Sequence, residues 1–244
     1  MNMRDNNMKS LRLPAAVLFL ILMLSGCEVY IGSGVLTTVR YDVGGFTSVK
    51  AGSAVDMSIT RGDGYSVSIV CDENLAARLD VRVVNGMLIC DLKPGIGYSG
   101  TFKASVIMPK LDEIRGTGSS DIDIRGFSNS GDFKISLSGA SDAYVNLENS
   151  EDIDINVSGA STLVLKSKTA DDLNIVCSGA SKVDSVGCSS DDVRVAVSGA
   201  STVYVSLRGY LTGYLNGASK LYYKGSPFII NVSRGITEKI YKLY

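Results

Sequence analysis

"NVSGASTLVLKSK", residues 156–168, centres on the tetrapeptide Ser158-Gly159-Ala160-Ser161. The same four residues return in "LSGASDAYV" from 137, "CSGASKVDS" from 177 and "VSGASTVYV" from 197. "LNGASKLYY" from 215 repeats them with Asn216 in place of the first Ser. The five glycines, Gly139, Gly159, Gly179, Gly199 and Gly217, stand 20, 20, 20 and 18 residues apart. "GTGSSDIDI" supplies an earlier copy at Gly118, and "KAGSAVDMSI" a more distant one at Gly52. A fixed period of this length marks a stacked architecture.

Before each glycine stands a short alternating run: "FKISL", "IDINV", "LNIVC" and "VRVAV". Phe133/Ile135/Leu137, Ile153/Ile155/Val157, Leu173/Ile175/Cys177 and Val193/Val195/Val197 are its apolar members. Period 2 is the signature of a strand with one buried face. A second alternation follows the motif, with Ile122/Ile124, Ala143/Val145, Leu163/Leu165 and Val203/Val205 inward. Turn-formers such as "ENSED", "SKTADD" and "GCSSDD" close each unit. A unit of about 20 residues without a helical period buries its apolar face only by stacking on copies of itself.

The predicted fold is therefore all-β: a single-stranded parallel β-helix, or solenoid, with ~20-residue rungs at the strand spacing of ~4.8 Å and capped ends. Gly takes φ > 0 at the corner. The following Ala (Ala140, Ala160, Ala180, Ala200, Ala218) is expected to point inward, and the flanking serines to bond corner amides or each other. An antiparallel sandwich would also show short strands, but it does not require one tetrapeptide at every second turn.

Along the chain, residues 1–26 form a lipoprotein signal peptide, 27–37 a lipid-anchored tether and 38–240 the β-helix domain. Within it, 38–115 are divergent first rungs, 116–223 regular rungs and 224–244 a C-terminal cap. "DENLAARL" (72–79) suits one or two helical turns. Arg4, Lys9 and Arg12 precede the apolar run "LPAAVLFLILML", too short for a comfortable membrane span. Leu24-Ser25-Gly26-Cys27 then resembles the bacterial lipobox, which makes Cys27 the expected lipid attachment site and the membrane a partner through that anchor.

The chain has 24 Lys+Arg, 25 Asp+Glu and no His. The acidic balance argues against a nucleic-acid partner, and the lack of His removes the usual general base. No cofactor is expected. Cys71 and Cys90 sit on alternating runs where both can face inward, so a disulfide between them stands beside the alternative of two free thiols. Cys177 replaces Leu or Val and reads as a small core hydrophobe, while Cys188 falls in a turn.

Three surface features carry candidate chemistry. Asp132, Asp152, Asp172 and Asp192 recur every 20 residues and should stack. Either each caps a turn amide or the column gathers a divalent cation such as Ca²⁺, though the nine-residue calcium solenoid motif is missing. Outward aromatics, Tyr144, Tyr204, Tyr210, Tyr214, Tyr222 and Tyr223, form a candidate ligand surface for sugars or a protein partner, the cluster at 210–223 being the better site. Arg61-Gly62-Asp63 in "TRGDGY" reads as a hairpin turn.

The lipobox, the opening pattern at 46–62, the "SGAS" rungs and the closing "YYKGSPFII" together resemble the putative auto-transporter adhesin head GIN-domain family, over roughly residues 38–240. The resemblance implies a β-helix, export and frequent occurrence in Bacteroidetes, with no catalytic or binding residues to carry over. The expected function is a non-enzymatic cell-envelope lipoprotein of the outer membrane, an adhesin or binding scaffold for a surface glycan or protein. The alternative is a carbohydrate-active β-helix enzyme, a polysaccharide lyase or glycosidase. Such enzymes usually carry a cleft built from loop insertions, and these rungs hold near 20 residues.

Overall fold

The computed structural model describes residues 29–93, 97–128 and 131–244. Cys27 and the expected signal peptide at 1–26 lie outside the described residues. The chain is almost all β, with 64% strand, and coils into a parallel solenoid of about six turns.

Each regular rung has two main strands joined by the Ser-Gly-Ala-Ser corner. The strands before the corner make one column: Glu113–Gly116, Phe133–Leu137, Ile153–Val157, then the later parts of Thr162–Cys177 and Lys182–Val197, then Tyr210–Leu215. Those after the corner make a second: Asp121–Phe127, Asp142–Leu147, the early parts of the two long strands, Thr202–Leu207 and Lys220–Gly225. A short third side closes each rung, with Asn149 bridged to Thr169 and Asp172 level with Asp192. In the two 16-residue strands Thr162–Cys177 and Lys182–Val197 the expected turn is drawn out into extended backbone.

Like residues stack because each rung is in register with the last. Phe133, Ile153, Leu173, Val193 and Leu211 form one inward file, and Ile122, Ala143, Leu163, Val183, Val203 and Leu221 another. All are 5% exposed or less. Each large aliphatic side chain so buried stabilises the fold by about 1.5–3 kcal/mol.

The corner itself continues the ladder. Ala140 N–H donates to the Gly118 carbonyl at 2.7 Å, Ala160 to Gly139 at 2.8 Å, Ala180 to Gly159 at 2.8 Å and Ala200 to Gly179 at 2.7 Å. The corner glycines have φ of 72° to 81°. The expectation that Ala points inward is overturned: all five corner alanines are exposed, and the second Ser is the buried residue. Ser120, Ser141, Ser161, Ser181, Ser201 and Ser219 form a closed file, each 2% exposed or less. The left-handed Gly bends the chain without breaking the in–out alternation, so odd positions 137, 141 and 143 stay inward. Within the middle rungs the buried hydroxyls bond the corner itself: Ser141 Oγ donates to Ser138 O at 2.9 Å, and Ser181 Oγ to Ser178 O at 2.6 Å. In the distant copy, Ser53 rather than Gly52 takes the left-handed position, with φ 54°, and its carbonyl accepts from Ser119 N–H.

The first rungs do not follow chain order. Ser48–Ala51 and Asp56–Arg61 make one rung, but Met87–Leu92 and Phe102–Met108 lie on its outer side while Glu113–Gly116 and Asp121–Phe127 lie on its inner side. Antiparallel strands finish this end: Leu79–Val84 on the first column, and Ser66–Asp72 then Leu36–Tyr41 on the second. A 3-10 helix spans Glu73–Arg78, with Leu75 buried. Arg61-Gly62-Asp63 is not a hairpin turn, because Asp56–Arg61 and Ser66–Asp72 pair with opposite edges of Phe102–Met108 and not with each other. At the other end, Ile229–Ser233 and Lys239–Lys242 extend both columns by another rung. The tail thus prolongs the stack where a cap was expected.

Cys71, Cys90, Cys177 and Cys188 are buried free thiols, so the Cys71–Cys90 bond is not formed. Cys188 lies within a strand, not a turn. Among the described residues no helix is long and apolar enough to cross a membrane.

Candidate functional site

Alternation sends every second residue of the second column outward, and register aligns those residues into files. One file reads Asp123, Tyr144, Val164, Asp184, Tyr204, Tyr222 and Tyr241. The last three rings stack. Tyr204 and Tyr222 have centroids 4.6 Å apart and planes 11° apart, and Tyr222 and Tyr241 are at 4.8 Å and 17°. This is the strand spacing expressed in side chains. Tyr204 and Tyr222 are half-buried and Tyr241, at the end of the stack, is exposed, so ring edges and hydroxyls face solvent. The broad faces that would receive a sugar ring are occupied by neighbouring tyrosines, except at the ends of the stack.

The neighbouring file changes sign along the solenoid. Lys103, Asp56, Asp121 and Asp142 occupy it at one end, and Lys182, Thr202, Lys220 and Lys239 at the other. Lys182 lies 5.3 Å from the Tyr204 ring centroid, a cation–π distance. Lys166 holds the same relation to Tyr144 at 5.3 Å. Where the acids gather, a groove of about 660 Å³ is lined by Asp56, Asp121, Asp142, Lys103 and Tyr144. Desolvation, with Asp56 and Asp142 adding repulsion, raises the Asp121 pKa above its ordinary value.

The predicted aromatic cluster at 210–223 is divided between faces. Tyr204 and Tyr222 belong to the stack on the second column. Tyr144 shares their file but stands apart, with Val164 and Asp184 between. Tyr210 and Tyr214 project from the first column, 46% and 50% exposed, with Phe228 6.3 Å from Tyr210. Tyr223 turns inward opposite Val205 and packs on the core. Tyr241 completes the stack, and sequence reasoning missed it by assigning 224–244 to a cap. Its spacing from Tyr222, 19 residues with Lys two positions before each, was the available signal.

Asp132, Asp152, Asp172 and Asp192 do align. Burial, then repulsion from Asp152, Asp192 and Asp171, raises the Asp172 pKa. Asp192 Oδ1 accepts the Tyr210 N–H at 2.8 Å, the turn-capping role. Asp191 pairs with Arg208. Among the described residues, no group of three or more His, Cys, Asp or Glu side chains converges to hold a metal ion.

A family model described as "Putative auto-transporter adhesin, head GIN domain" matches residues 45–227. Among solved structures, a "putative adhesin" from Bacteroides fragilis is similar, with TM-score 0.76 and 18% identity, covering 88% of this chain and 100% of that one. A "putative lipid binding protein" from Parabacteroides distasonis gives TM-score 0.75 and 17% identity, covering 89% and 100%. A "putative adhesin" from Parabacteroides merdae gives 0.68 and 16%, covering 89% and 100%. At these identities the likeness carries the fold alone. No curated protein matches the chain.

Proposed function

The chain belongs to the head GIN-domain family of putative auto-transporter adhesins, and from that premise we propose that it is a non-enzymatic, lipid-anchored binding scaffold of the outer membrane. Cys27 carries the anchor, and the outer face of the second column engages a surface glycan or protein. The observation that carries this reading is the stack of Tyr204, Tyr222 and Tyr241, side chains aligned on a flat, solvent-facing sheet. Tyrosine edges combine apolar contact with a hydroxyl and lose little entropy on binding. The even rungs, held near 20 residues, also favour a scaffold over an enzyme.

The test is a glycan and surface-protein array probed with the mature protein and with Tyr222→Ala. Binding that drops with the Tyr222 substitution and leaves the glycan intact is expected. Release of reducing or unsaturated sugar ends would overturn the scaffold reading in favour of an enzyme. For the anchor, metabolic labelling with a tagged fatty acid should mark the wild type and leave Cys27→Ser unlabelled.

A further inference from the structure

Resting on the reading above that the outer face of the second column is the binding surface, we infer that its ligand is an acidic polysaccharide, held by the lysines and phenol hydroxyls of its C-terminal rungs. Three observations converge. The first is the charge pattern. Lys220 and Lys224 flank Tyr222 on one strand, Lys239 precedes Tyr241 on the next, and Lys182 overlies Tyr204. Among the described residues none of these lysines has an ion-pair partner. Several cations elsewhere on the solenoid are neutralised by a neighbour, Arg115 by Glu113 at 2.6 Å, Arg125 by Asp123 at 2.7 Å and Lys110 by Asp112 at 3.0 Å. The one carboxylate in the tyrosine file near the strip is Asp184, at its upstream edge beside Tyr204. Glu238 is next to Lys239 in sequence but buried, 5% exposed.

The second is the aromatic geometry. Because the rings stack face to face, the strip offers hydroxyls at the ~4.8 Å strand repeat and not open ring faces. No protein group among the described residues hydrogen-bonds the hydroxyls of Tyr204, Tyr222 or Tyr241. A row of O–H donors beside ammonium groups suits carboxylates recurring along a polymer, and charge-assisted hydrogen bonds are the stronger kind. A neutral sugar wanting an aromatic platform finds little here.

The third is position. The chain enters the fold at Val29–Ile31, paired with Gly97–Ser99. The strip lies at the opposite end of the stack, several rungs of ~4.8 Å away. A protein tethered by its N-terminal side presents this strip away from its own bilayer, which favours a polymer over the headgroups of the anchoring membrane. The whole chain is acidic, with formal net charge −1, so a localised basic strip supplies the selectivity that overall charge would not.

The experiment measures binding of polygalacturonate, neutral dextran and phosphatidylglycerol vesicles at about 50 and about 200 mM NaCl, where surface charge is screened to different extents. Polygalacturonate should bind, several-fold more weakly at the higher salt, and dextran and vesicles should not. Lys220→Glu with Lys239→Glu should weaken it by about tenfold or more, Lys220→Arg with Lys239→Arg should retain it, and Lys134→Glu on the other face should leave it unchanged. Equal binding of dextran, preference for vesicles, or full binding by the double Glu variant would overturn the inference. A neutral partner lost with Tyr222→Ala would overturn it while leaving the binding face in place. Absence of any Tyr222-dependent partner would remove both.

Discussion

At Gly179 the backbone has φ 81°, and an added Cβ would sit 2.5 Å from the carbonyl oxygen of Gly159. Two constraints meet there, a left-handed conformation and the approach of the rung above, whose carbonyl must reach Ala180 N–H. Gly179→Ala should therefore cost about 1–3 kcal/mol in urea unfolding, and more if the ladder cannot shift. Ala180→Ser, one residue on, should change stability by no more than about 0.5 kcal/mol because the side chain points to solvent. Ser181→Ala should cost about 1–3 kcal/mol, since its Oγ bonds Ser178 O and Val157 O in a buried file. The glycines were legible in the sequence, but the side taken by Ala and Ser was misassigned. The smallest side chain suits a corner with little room, yet carrying the alternation from Leu137 through to Ala143 puts Ser141 inside. The thiols follow the same logic of burial. Cys90 and Cys188 are pushed up to about 12 by desolvation. A raised thiol pKa leaves stability intact below the unfolded value of about 8.5 and erodes it as pH climbs toward 12. Both cysteines should resist alkylation at pH 8 in the native protein and react on unfolding, and stability should fall between about pH 9 and pH 12.

A strand in a solenoid is constrained by what lies above and below it. The aspartates at 132, 152, 172 and 192 repeat because each unit turns at the same place, and stacking brings like charges to the strand spacing of ~4.8 Å. Asp172 bears the consequence, its pKa raised by burial first and by its neighbours second. A raised carboxyl pKa means the fold tolerates the neutral acid better than the anion. The penalty is absent below the ordinary value of 3.8 and complete once pH passes the folded pKa. Asp172→Asn should raise Tm at pH 7, with a gain that vanishes at pH 3 and shrinks at high salt. The regular strands were legible from alternation and period. The first rungs were not, because the sequence of Met87–Leu92 carries nothing to say whether it lies above or below Ser48–Ala51. That choice depends on Leu79–Val84 folding back antiparallel through the turn at Asn85-Gly86, where both residues have positive φ. The tyrosine stack was partly legible for a related reason. Tyr204 and Tyr222 fell within the repeat, whereas Tyr241 followed Pro227 and a broken period, and only the continued ladder from Lys220 to Lys239 restores it to the file.

Across the whole molecule, the two ends are finished differently. The N-terminal end closes with antiparallel strands, a 3-10 helix and the buried Leu75. The C-terminal end stops on Ile229–Ser233 and Lys239–Lys242, each paired on one side. There the inward positions are left partly open: Ile230 is 44% exposed, and Val232 and Ile240 are half-buried. The buried serine file also ends badly, since Glu238 occupies the position below Ser219, and Glu238 Oε2 and Ser219 Oγ both lack a partner. Buried polar atoms without partners each cost about 1–3 kcal/mol. Stability in stacked repeats is close to a sum of neighbour terms, so the rung with one neighbour and two orphaned polar atoms should open first. Native-state hydrogen exchange should find amides of 229–242 exchanging fastest among the strands, those of 133–207 slowest, and the N-terminal antiparallel strands protected well above the C-terminal rung. Uniform protection from one end to the other would contradict the neighbour-sum account. Glu238→Ser would continue the file, and it should slow exchange in the last rung while leaving the middle rungs as they were.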